Sequence, residues 1–121
     1  MRMFADALTA FVAVEHLGFL VLEMFLWTAP LGLKIFRLTP RAAAESAALA
    51  KNQGLYNGFL AAGLVWGLLA ADPSHALSTK TFFLGCVVVA GVFGAATVGG
   101  RILYIQAAPA LAALILLRLS R

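Results

Sequence analysis

Apolar positions dominate four stretches of the chain, and polar residues gather between them. The first stretch covers residues 4–28 and stops at Ala29-Pro30. Residues 31–51 follow as a loop carrying Lys34, Arg37, Arg41 and Lys51. Inside that loop Thr39-Pro40 reads as an N-cap followed by proline at the first helical position. The alanine-rich residues 42–50 are expected to be helical, either as a short interfacial helix or running straight into the next stretch. The second stretch, residues 52–71, is ended by Asp72-Pro73-Ser74. The third, residues 80–99, carries no charge after Lys80 and turns at Gly99-Gly100. The fourth, residues 101–117, is followed by Arg118 and Arg121. A helix needs roughly 20 apolar residues to cross the hydrocarbon core of a bilayer. The pattern therefore predicts an all-α fold: a four-helix transmembrane bundle, antiparallel, with a short interfacial helix in loop one. The whole chain, residues 1–121, is expected to form a single integral membrane domain with both termini on one side.

Composition strengthens this reading. The 121 residues are 63% hydrophobic and 12% charged, and the mean hydropathy is +0.97. A soluble domain is nearer about half apolar and about a quarter charged. So much apolar surface cannot be hidden inside so small a core, and lipid is the expected solvent. The net charge of +4 forms no basic stripe, which argues against nucleic acid as a partner. A lone Cys86 leaves no internal disulfide. No cleavable signal peptide is expected, because Asp6 follows Arg2 and the first apolar run is too long for one. Basic residues favour loop one as the cytoplasmic side by a narrow margin.

The first stretch carries three ionisable groups in an apolar setting: Glu15, His16 and Glu23. A charge in the hydrocarbon core is expensive, so such groups are paired, protonated or facing a wet cavity. His16 and Glu23 share a helical face with Thr9 and Trp27. They lie roughly 10 Å apart along the axis, too far to bond, so each needs partners from another helix. Counted from the face that loops one and three share, Glu23, Asn57 and Gln106 fall at one depth, roughly 7 to 9 Å inside the leaflet. Gln53 lies one turn shallower than Asn57. Pro109 cannot bond the Ile105 carbonyl, which adds another free polar group near that level. The expectation is a polar pocket with Glu15 and His16 at its floor, and with Trp27, Tyr56, Tyr104 and Pro109 as candidate lining. The aromatic residues have interfacial anchoring as their commoner role. Interhelical hydrogen bonding alone is the competing role for the amides. Cys86 reads as packing, and His75 and Asp72 as solvated loop residues.

Small residues recur at a spacing of four: Gly54 and Gly58, Gly63 and Gly67, and Gly91, Ala95 and Gly99. That spacing lets helix backbones approach closely in lipid. Tight contacts of this kind also favour a homo-oligomer, most simply a dimer. There is no phosphate loop, dinucleotide glycine fingerprint or nucleophile elbow. A metal site built from His16 and the glutamates is conceivable, but one histidine without close-spaced ligands is a weak signal, and neither a metal nor a cofactor is expected.

Glu15-His16, the run Leu22-Glu23-Met24-Phe25-Leu26-Trp27-Thr28 and residues 52–63, NQGLYNGFLAAG, resemble the small bacterial membrane proteins grouped as domain of unknown function 1304. Gln106-Ala107-Ala108-Pro109-Ala110 fits the last span of that family. The resemblance implies a prokaryotic four-span protein of about this length, placed in the bacterial cytoplasmic (inner) membrane. It brings no established activity, and the epimerase label that some members carry has no motif here. Three functions fit the residues. One is binding or proton-coupled transport of a small hydrophobic or cationic molecule. The second is an intramembrane enzyme moving protons in a lipid-soluble substrate. The third is a non-catalytic membrane subunit or scaffold.

Overall fold

A computed structural model describes all residues 1–121, and the chain is all-α with no strand. Helix α1 spans Arg2–Met24, α2 Pro30–Phe36, α3 Pro40–Leu69 and α4 Pro73–Thr97. A π-helical turn, Leu103–Ala107, leads into α5, Ala108–Leu119.

The helix ends follow local chemistry. Past Met24 the ladder widens, with the Leu26 N–H donating to the Val21 carbonyl, and the chain then turns. Pro30 starts α2 with its fixed φ already helical. Gly32 is required there, because a Cβ would lie 1.9 Å from the Leu26 carbonyl oxygen. Arg37 ends α2 in the left-handed region, φ 55°. The Leu38 N–H bonds the Leu33 carbonyl and closes that turn. Thr39 caps α3 by accepting from the Ala42 N–H at 3.1 Å, as its position before Pro40 predicts. Residues 42–50 are helical but belong to α3 rather than to a separate interfacial helix. The short helix of loop one is instead α2, which the proline at its start and the required glycine set apart.

Asp72 and His75 are both exposed, as expected, but His75 lies in the first turn of α4 rather than in the loop. Asp72 caps α4, its Oδ2 accepting from the His75 N–H at 2.8 Å. The cap and Pro73 start α4 two turns before residue 80, where the apolar pattern begins. The His75 ring packs against Trp66, with centroids 5.0 Å apart.

Two helices, α1 and α4, are long and apolar enough to cross a membrane. This is fewer than the four spans expected. Helix α3 has the length, but Lys51, Asn52, Gln53 and Asn57 dilute its apolar run. The final apolar stretch, Leu103–Leu119, is shorter.

Packing divides the chain into two compact units. The first joins Met1–Val14 to Leu60–Arg121. Its core contains Ala5, Val12, Leu64, Leu84, Val87 and Ala110, each fully buried. Gly91 brings α4 against the π-helical turn, where a Cβ would meet the Ala107 Cβ at 2.6 Å. Gly63 and Gly67 lie against Phe83 and Lys80 in the same unit. The second unit, Glu15–Phe59, holds the end of α1, all of α2 and the first part of α3. Gly54 and Gly58 face Leu20 there, and Gly54 also faces Met24 and Glu23. These four glycines on α3 therefore serve contacts within the chain, whereas nothing approaches Gly99.

Large apolar side chains remain exposed on many turns, including Phe11, Phe25, Phe59, Leu69, Phe82, Val89 and Phe93. Exposed apolar surface on this scale marks a protein or membrane interaction face.

Candidate functional site

The second unit builds its polar site from two helices. Glu23 occupies the last turn of α1 and is only 8% exposed. Gly54 gives α3 the room to approach it, since a Cβ there would stand 3.2 Å from the Glu23 Cβ. Asn57, three residues further along α3, donates its Nδ2–H to Glu23 Oε1 at 2.5 Å. The pair is one of the contacts that shared depth anticipates. Its chemistry is a carboxyl group held by a neutral amide rather than by a cation. Such a group accepts the amide hydrogen whether or not it carries a proton, because one oxygen remains an acceptor in both states.

A second polar contact fixes the surroundings. Trp27 donates its indole N–H to Ser46 Oγ at 3.0 Å, and its ring packs on Phe36 with centroids 4.7 Å apart. Ser46 Oγ in turn donates to the Ala42 carbonyl at 2.8 Å. Trp27 thus clasps α2 and α3 to the chain just beyond Glu23. Its pairing with Ser46 makes it a structural strut rather than only an anchor.

Of the remaining candidates in this unit, His16 is fully buried and meets the Phe19 ring edge-on at 5.2 Å. Glu15 is half-buried and has one carboxyl oxygen, Oε1, enclosed without a hydrogen-bond partner. Gln53 is exposed, one turn before Asn57. Tyr56 is 56% exposed and stacks on Phe59, and Tyr104 in the other unit is 75% exposed. These tyrosines face outward, as anchors do. Gln106 and Pro109 belong to the first unit. Gln106 is half-buried on the π-helical turn. The Ala108 N–H there reaches back five residues to the Leu103 carbonyl, just ahead of the proline. A π-turn is a common accommodation of a disturbed ladder, and such turns favour functional sites.

The first unit holds a polar pair that the apolar pattern did not single out. Lys80 Nζ donates to Asp6 Oδ1 at 2.6 Å, with the lysine side chain 8% and the aspartate side chain 40% exposed. Gly67 makes space for the lysine stem, since a Cβ there would meet Lys80 Cγ at 2.7 Å. The available signal was one charge of each sign near the starts of two apolar stretches. Ser46 was legible only as a hydroxyl within an alanine run. No group of three or more His, Cys, Asp or Glu side chains gathers to hold a metal ion.

Comparison with known proteins adds a family and no activity. No curated protein and no solved structure matches the chain. The family model described as "Protein of unknown function (DUF1304)" matches residues 10–118, the run that contains Glu23, Asn57 and Gln106, and the chain belongs to that family.

Proposed function

We propose that this chain is a multi-pass protein of the bacterial cytoplasmic membrane, one integral domain, which binds a small hydrophobic or cationic molecule and exchanges it for a proton at Glu23. The observation that carries the reading is the Glu23–Asn57 pair: a carboxyl group 8% exposed and held by a neutral amide. A buried carboxylate without a cationic partner costs several kcal/mol, and a proton or a bound cation removes that cost. Occupancy by one then opposes occupancy by the other, which is the requirement for exchange. Two apolar helices of spanning length and the exposed phenylalanines and leucines support a lipid setting.

The test uses liposomes containing the protein and an enclosed pH dye. Tetraphenylphosphonium added outside is expected to drive protons out of wild-type vesicles. Glu23→Gln vesicles are expected to stay silent, because the amide keeps the shape and the Asn57 bond but cannot release a proton. Wild-type vesicles without coupled proton movement, or a Glu23→Gln variant that matches wild type, overturn the exchange reading.

A further inference from the structure

Helices α4 and α5 leave a groove between them, and it lies far along the chain from Glu23, wholly within the first unit. Two open surface depressions of about 410 Å³ each adjoin there, sharing Thr81 and Arg118. One runs over Gly85, Leu114 and Ile115 and is apolar apart from Thr81 and Arg118. The other ends at Arg118 and Arg121, beside Ser78. Neither guanidinium takes part in the chain's ion pairs, which are Arg41–Glu45 and Lys80–Asp6. Gly85 forms an open floor, since a Cβ there meets nothing within 4 Å.

We infer that this groove is a binding site for an anionic phospholipid, its acyl chain lying over Gly85, Leu114 and Ile115 and its phosphate on Arg118 and Arg121. The charge argues for this occupant. Guanidinium groups match phosphate oxygens in a bidentate fork. A zwitterionic headgroup brings a cation of its own to the same two arginines, whereas a net negative one does not. The amphipathic form of the groove argues for a lipid rather than a free anion, because free phosphate has nothing to place in the apolar depression. The inference rests on the membrane setting proposed above but not on proton exchange.

Native mass spectrometry of the detergent-purified protein tests it, with phosphatidylglycerol and phosphatidylcholine of the same acyl chains as probes. Phosphatidylglycerol is expected to stay bound more tightly, and each arginine-to-glutamine change is expected to weaken it by about fivefold, the worth of one basic contact at a lipid surface. A Cβ at Gly85 meets nothing within 4 Å, so Gly85→Leu is expected to fold normally and, by projecting into the groove, to lose both lipids. A Lys34→Gln, Arg37→Gln variant removes two basic residues elsewhere and is expected to retain the preference. Equal binding of the two lipids, unchanged binding by Gly85→Leu, or an equal loss in the Lys34 and Arg37 variant overturns the site. Failure of the membrane setting reads differently: the wild-type protein then partitions into the aqueous phase of a detergent phase separation.

Discussion

Each unit bonds a carboxylic acid of α1 to a side chain of another helix, and they hold it in opposite ways. In the first unit Asp6 meets the Lys80 ammonium at 2.6 Å, so the charges cancel locally. In the second unit Glu23 meets the neutral Asn57 amide, so its charge is not cancelled by that partner. The difference separates a fixed strut from an exchangeable site. An ion pair gives up its proton or its partner only by stranding the other charge, which resists change. A carboxyl group bonded to an amide changes protonation state without losing the bond. Position agrees with this contrast, since Asp6 is 40% exposed near the start of α1 and Glu23 is 8% exposed at its end.

The largest expected effect comes from breaking the strut. Lys80→Met leaves Asp6 without its cation inside the first unit. A fully buried pair broken on one side costs about 3–5 kcal/mol, and the partial exposure of Asp6 reduces this to about 2 kcal/mol through solvent screening. Thermal unfolding in detergent measures it, and adding Asp6→Asn to Lys80→Met is expected to return most of the loss. A double variant as unstable as the single one contradicts the strut.

Next comes Glu23→Ala, which strands the Asn57 amide and opens a small void, for about 1.5 kcal/mol. Glu23→Asp is a sharper probe of the same pair, because its shorter stem withdraws the carboxyl from Asn57; coupled proton flux is expected to fall while stability stays above that of Glu23→Ala. Trp27→Phe keeps a ring on Phe36 but removes the hydrogen bond to Ser46, for about 1 kcal/mol. Limited proteolysis within residues 25–39 is expected to quicken in that variant, and unchanged cleavage means that the clasp does not hold loop one. The smallest expected stability effect belongs to Glu23→Gln, about 0.5 kcal/mol, since the amide oxygen still accepts from Asn57. Its effect on proton exchange is expected to be complete.

What the sequence makes legible follows from the range of each interaction. The all-α fold is plain in the long apolar runs, and the ends of α3 and α4 are plain in Thr39-Pro40 and Asp72-Pro73, because capping acts within one turn. Shared depth offered Asn57 and Gln106 alike as partners of Glu23, because residue counts convert to distance, and Asn57 is the one that bonds it. Helix α2 escaped because its existence depends on Gly32 fitting beneath the Leu26 carbonyl, a contact that hydropathy does not encode. Lys80 escaped for a related reason: its position at the edge of an apolar run resembles an interfacial anchor until Gly67 and Asp6 are seen to enclose it. Tyr56 and Tyr104 are exposed, which agrees with anchoring, the commoner role of such aromatic residues, rather than with pocket lining.

Proton release on ligand binding tests the contrast most directly. Tetraphenylphosphonium is added to the detergent-solubilised protein in weak buffer, and the change in pH is recorded. The wild-type chain and the Lys80→Met, Asp6→Asn double variant are both expected to release protons in proportion to bound cation, and Glu23→Gln is expected to release none. Release that persists in Glu23→Gln, or that disappears in the double variant while its fold is intact, contradicts the assignment of exchange to Glu23.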